Sequence, residues 1–183
     1  MRITVMRQVK FCAGHRLAGH EGKCVNLHGH NYVAQFFVTG NKVDACGRVV
    51  DFSLINQLFK GWIDENWDHG MLIWEDDTEA IEALKLVKQQ RTFVMPYNPT
   101  AENMANYLLT KVAPELVAQI KDYDVYVSKV IVWETENSFA EVSVDENSPS
   151  STVAHHGEQG SQREPSEKAD QFPDGFKSRT AIV

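Results

Sequence analysis

Arg2-Ile3-Thr4-Val5-Met6-Arg7-Gln8-Val9-Lys10-Phe11 alternates: Ile3, Val5, Val9 and Phe11 share one side, and Arg7 interrupts them. Successive strand residues point to opposite faces, so this period of two predicts a half-buried strand over 2–11. A second strand is predicted at about 32–39, closed by the turn residues Gly40-Asn41. A loop rich in Gly, His and Lys, residues 14–29, joins the two.

Downstream, Asp51 or Ser53 can cap a helix whose Leu54, Ile55, Leu58, Phe59 and Trp62 recur every three or four residues as one apolar stripe. Residues 77–89 read as a short exposed helix, and Val94 ends a brief strand before Pro96. Asn98-Pro99-Thr100 opens a helix with Met104, Tyr107, Leu108 and Val112 inward, which Pro114 bends or breaks. The β-branched run Val125, Val127, Val130, Val132 leads to Trp133. After Glu136-Asn137-Ser138, Phe139–Val144 returns as its hairpin partner. The order is two strands, helices, two strands. From Asp145 the chain turns polar, which predicts one folded domain over 1–144 and a disordered tail over 145–183.

The 183 residues carry a formal charge of -7, which argues against a phosphate-tracking surface, so no nucleic-acid partner is expected. No stretch is apolar and long enough to span a bilayer, and no apolar leader follows the first positive residues. A soluble, cytoplasmic protein is the expectation. Cys12, Cys24 and Cys46 make no even set and no C-x-x-C, which fits a reducing compartment.

His28-Gly29-His30 carries the first chemical signal. In an extended chain residues i and i+2 face the same side, so both rings can reach one cation, or stand as ordinary polar histidines near a strand start. Antiparallel pairing of the first two strands would add His15. Three neutral imidazoles with no obvious fourth ligand suit Zn²⁺ with an open position, whereas the facial site of Fe²⁺ would need a carboxylate at comparable spacing. Cys24 reads either as a fourth ligand or buried thiol, or as a reactive thiolate favoured by Lys23 and a nearby dication. Asp68-His69 is an acid beside an imidazole, common in surface loops and also the composition of a proton relay. Glu134 ends the most apolar strand, where it could grip paired N–H donors of a heterocycle or simply reach solvent.

Together these pieces resemble the family of 6-pyruvoyltetrahydropterin and 6-carboxytetrahydropterin synthases. The likeness rests on F-C-A-G-H-R-L at 11–17, C-V-N-L-H-G-H-N-Y at 24–32, G-R-V-V-D-F at 47–52, Asp68-His69, P-T-A-E-N at 99–103 and Glu134-Thr135, in the family's order. It spans about residues 1–144. The resemblance implies an α+β tunnelling fold (T-fold): a four-stranded antiparallel sheet with two helices on one face, closed into a barrel by a trimer or hexamer, with sites between subunits. It also implies Zn²⁺ on His15, His28 and His30, Cys24 as proton-abstracting residue, Asp68 and His69 as its acid–base partner and Glu134 as the pterin anchor. Thr100 and Glu102 match positions that line the pterin pocket.

The three residues between Cys24 and His28 resemble the bacterial carboxy-forming branch, whose pyruvoyl-forming relatives have a longer gap. The implied reaction converts 7,8-dihydroneopterin triphosphate to 6-carboxy-5,6,7,8-tetrahydropterin, acetaldehyde and triphosphate, toward 7-deazaguanines such as queuosine. Pyruvoyl chemistry on the same substrate, or non-catalytic pterin binding, are the alternatives. Arg16 and Lys23 are the candidates for the triphosphate. Trp67, where the family pattern suggests Leu, and the long polar tail depart from the short members.

Overall fold

The computed structural model describes residues 1–144, and the tail expected over 145–183 lies outside the described residues. Strand β1 (Ile3–His15) runs antiparallel to β2 (His28–Gly40), from Ile3↔Gly40 to His15↔His28. Both strands outrun the predicted segments by several residues at the loop end. The expected loop over 14–29 therefore shrinks, and all three histidines lie within strands. The expected alternation holds: Val9, Phe11, Ala13 and His15 are buried in one row, as are Tyr32, Ala34, Phe36 and Val38 on β2.

The chain then forms α1 (Phe52–Asn66), β3 (Gly70–Trp74), α2 (Thr78–Lys85), β4 (Thr92–Met95) and α3 (Ala101–Tyr107). A π-helical turn (Leu108–Val112) leads into α4 (Ala113–Val117), and the hairpin β5 (Val125–Thr135) and β6 (Ser138–Ser143) follows. The sheet order is β4-β3-β1-β2-β5-β6. The α+β class stands, and the expected four-stranded antiparallel sheet gains two short strands, β3 and β4, which run parallel to β1 and to each other. Gly70-Met71-Leu72-Ile73-Trp74 has no alternation because both of its faces are covered, as is usual for parallel strands joined through a helix. Leu72 packs into the main core while Ile73 packs with Ala80 and Leu84 of α2. The helix α2 therefore covers the face opposite α1.

Asp51, rather than Ser53, caps α1, accepting from the Ser53 N–H at 2.8 Å. The stripe Ile55, Phe59, Ile63 is buried against the sheet, with Phe59 stacked on Phe36 at 4.3 Å. Pro114 stands in the first turn of α4, directly after the π-turn. A ring without an N–H cannot donate back along the helix, and the widened turn absorbs that missing bond. Among the described residues no helix is long and apolar enough to cross a membrane.

Candidate metal and ligand site

Three rows of side chains end together at one edge of the buried sheet face. His15 closes the row Val9-Phe11-Ala13, and His28 and His30 precede Tyr32 on β2. Because His15 pairs with His28 and Ala13 with His30, the three rings occupy adjoining positions. That close pairing depends on Gly29: a Cβ there would lie 2.8 Å from the Ala13 carbonyl oxygen.

The ligand-capable atoms of His15, His28 and His30 all lie within 4.8 Å of one another. His15, 0% exposed, donates from Nδ1 to the Pro99 carbonyl at 2.8 Å, and His28 donates from Nδ1 to the Asn26 carbonyl at 2.7 Å. With the Nδ1 protons so committed, both neutral rings turn bare Nε2 lone pairs inward, and these two nitrogens stand 3.1 Å apart. Facing lone pairs repel; a shared cation removes the repulsion, and backbone-fixed imidazoles are the donor set that binds one. Burial pushes the His15 pKa below its ordinary value, helped by His28 and His30 and opposed by the Pro99 bond and Glu134. The neutral, metal-binding form is thereby favoured. The donors fit a transition-metal ion.

Glu134 lies beside the triad. Its Oε1 is 3.6 Å from His15 Nε2 and 3.9 Å from His30 Nε2, so a carboxylate adjoins the set where sequence spacing suggested none. A bulge brings it there: Trp133 pairs with Phe139 and Thr135 with Ser138, leaving Glu134 as an extra residue on β5. It continues the inward row Val130-Val132, and this is why a charge ends an apolar strand.

Cys24 sits in a short 3₁₀ turn (Lys23–Val25), half-buried, its carbonyl holding the Leu17 N–H at 2.8 Å. It is not part of the mutually close ligand cluster, which contains the three histidines alone among the described residues. The reading of Cys24 as a fourth ligand finds no support in that cluster.

Asp68 and His69 form a pair, Oδ2 to Nδ1 at 2.8 Å, on the other side of β1. Asp68 accepts the Cys12 N–H at 2.8 Å, and the His69 N–H donates to the Cys12 carbonyl at 2.6 Å. Burial pushes the Asp68 pKa up, but the Cys12 N–H and His69 outweigh it and hold the carboxyl below its usual value. His69 is exposed, with φ +57°, and fronts a cleft of about 540 Å³ that also reaches His28 and His30. Among the described residues no hydrogen bond or ion pair joins this pair to Cys24 or the triad.

Thr100 caps α3 by accepting the Asn103 N–H at 3.2 Å, directly after the Pro99 carbonyl that orients His15. Glu102 is exposed in the first turn of α3. Arg16, a triphosphate candidate, is already engaged: its Nε and Nη2 grip Asp77 at 2.6 and 2.9 Å, and Nη2 reaches Glu79 at 3.2 Å. Lys23 remains exposed. The sequence reading missed Tyr32, whose buried hydroxyl has no hydrogen-bond partner among the described residues. Burial first, then the charges of Glu134 and Cys24, raise its pKa far out of reach, so the phenol keeps its proton. An aromatic two residues past H-G-H was the available signal, and it reads equally well as core.

A family model described as 6-pyruvoyl tetrahydropterin synthase matches residues 4–145. A Rickettsia felis protein named 6-carboxy-5,6,7,8-tetrahydropterin synthase is 41% identical over 140 residues, covering 76% of this chain and 99% of the relative. Among solved structures, an uncharacterized protein from Wolinella succinogenes superposes with a TM-score of 0.64 at 24% identity, covering 79% of this chain and 99% of that one. The 6-pyruvoyltetrahydropterin synthase of Plasmodium vivax superposes at 0.57 and 19%, covering 78% and 97%. These two likenesses concern the fold.

Proposed function

The chain belongs to the 6-pyruvoyl tetrahydropterin synthase family, and we propose that it is a zinc-dependent 6-carboxy-5,6,7,8-tetrahydropterin synthase acting on 7,8-dihydroneopterin triphosphate. The observation that carries this reading is the inward convergence of three imidazoles next to the Glu134 carboxylate. The name borne by relatives such as that of Rickettsia felis supports the carboxy product.

His15, His28 and His30 would hold Zn²⁺, which when bound supplies a Lewis acid that lowers the pKa of substrate hydroxyls and of the adjacent carbon. Glu134 accepts the paired ring N–H donors of the pterin and fixes its reacting carbon beside the triad. Thr100 and Glu102 belong to the wall of the same pocket. Cys24, as thiolate, takes the proton from that carbon. Asp68 keeps the His69 ring oriented through Nδ1, leaving Nε2 to carry protons during carbon–carbon cleavage.

Among the described residues no hydrogen bond or ion pair links the Asp68–His69 pair to Cys24. Catalysis then requires two copies, each providing half of the set, in a trimer or hexamer whose barrel is completed by neighbouring sheets. The setting is a cytoplasmic route toward 7-deazaguanines such as queuosine.

Incubating the purified chain with 7,8-dihydroneopterin triphosphate and weighing the product by mass spectrometry tests this. The carboxy-tetrahydropterin mass with stoichiometric acetaldehyde is expected. A pyruvoyl product would move the chain to the other branch, and no turnover by the zinc-loaded protein would reject the enzyme reading.

A further inference from the structure

His69 adopts a backbone conformation, φ +57°, that a residue with a side chain rarely takes and that persists only where its surroundings over-determine it. Here the peptide unit joining Asp68 to His69 is gripped at both ends. Its N–H donates to the Cys12 carbonyl at 2.6 Å, and its carbonyl accepts from Arg91 Nη1 at 3.0 Å. The same nitrogen of Arg91 also donates to the Asp64 carbonyl at 2.8 Å, a main-chain acceptor in the last turn of α1 where the helix itself supplies no donor.

Arg91 owes its place to the pairing of β3 with β4. The Met71 N–H donates to the Arg91 carbonyl at 2.9 Å, next to the register Met71↔Thr92. Its stem lies along Gly70, where an added Cβ would meet Arg91 Cδ at 3.4 Å. The guanidinium is exposed, yet it has no carboxylate partner among the described residues and spends one nitrogen on two main-chain oxygens. The His69 side chain, 78% exposed, has a single polar bond of its own, from Nδ1 to Asp68 at 2.8 Å. Packing therefore does little to aim the ring, and the direction of its Cα–Cβ bond is set by the pinned peptide.

We infer that Arg91 is a positioning residue for His69, holding the Asp68–His69 peptide so that the ring faces the cleft it shares with His28 and His30. The inference rests on the reading of His69 as proton carrier. It also gives β3 and β4 a function beyond widening the sheet, since the strands the sequence pattern concealed deliver the cation that braces the relay. Without that brace the peptide can turn, and a reacting group displaced by about 1 Å loses on the order of a hundredfold in rate.

Arg91→Met keeps the apolar stem and removes the donors, while Arg91→Lys restores a cation able to donate to both carbonyls. Both variants of the full-length, zinc-loaded protein are compared with wild type by turnover of 7,8-dihydroneopterin triphosphate, zinc content and amide hydrogen exchange at His69. In Arg91→Met, kcat should fall roughly ten- to hundredfold while KM and zinc content stay unchanged, and the His69 amide should exchange faster. Arg91→Lys should recover most of the rate and of the protection. An unchanged kcat would overturn the assignment, as would a lysine variant as slow as the methionine one. Loss of zinc or a KM that moves with kcat would overturn it too, making Arg91 a support of the whole fold. No turnover by the unsubstituted protein, or full activity of His69→Ala, would instead strike the relay reading on which the inference rests.

Discussion

The Nδ1 proton of His15 goes to the backbone oxygen of Pro99, 2.8 Å away and 84 positions further along the chain. This one bond ties the end of β1 to the start of α3, so the ring that lies deepest in the triad is aimed by the turn Pro99-Thr100. A side chain fixed by main chain on two elements holds its direction without help from a bound ion.

Cys24→Ala separates ligand from base. The thiol stands outside the mutually close histidine cluster, so metal analysis should find full zinc occupancy while turnover falls by about a hundredfold or more, the usual loss when a positioned base is removed. Stoichiometric zinc loss would identify Cys24 as a ligand instead.

Gly29→Ala should damage fold and site together. The new methyl would approach the Ala13 carbonyl oxygen to 2.8 Å, backbone against side chain with no rotamer to yield. The expected destabilisation is about 1–3 kcal/mol in urea unfolding, with weakened zinc affinity because His28 and His30 flank the displaced residue. Wild-type stability would show that β1 and β2 can separate freely here.

Asp68 titrates below its ordinary value, so its contribution is fully present above the unfolded pKa of about 3.9 and is lost as the pH falls through the lower folded value. Asp68→Asn keeps an oxygen for the Cys12 N–H and removes the charge. The stability gap between wild type and variant, measured by denaturant unfolding from pH 7 downward, should therefore shrink below about pH 4. A gap that widens in acid would mean that the carboxyl is held above its normal range.

Cys24→Ala and His69→Ala should each be inactive alone. Mixed after dissociation and reassociated, they should recover part of the wild-type rate, because some junctions then combine an intact Cys24 from one copy with an intact His69 from its neighbour. Activity that stays at the level of the separate variants would confine the site to a single chain.

Much of this was legible in sequence. The alternation of Ile3 through Phe11 marks β1, and the same alternation carried to His15 aligns it with His28 and His30. Asp51 announces α1 by its capping chemistry. The remainder was hidden for physical reasons. Residues 70–74 are covered on both faces, and such strands lack alternation. The approach of Glu134 to the triad depends on one extra residue in β5, and local pattern cannot reveal a pairing irregularity. The carbonyls of Asn26 and Pro99 are main-chain groups that every residue carries, so nothing in their identity signals a role in aiming imidazoles. Arg16 looked free for phosphate because its partner Asp77 lies 61 positions away.

That Arg16–Asp77 clamp reaches beyond its own two residues. Asp77 also holds the Ala80 N–H at 3.2 Å, so one buried carboxylate secures the first turn of α2 and the residue next to His15 at once. The histidine socket is thus braced by bonds made within the polypeptide itself. Chelation should empty it without melting the chain, and reloading should proceed as simple docking into a rigid cup, unlike small domains whose folding waits for their metal.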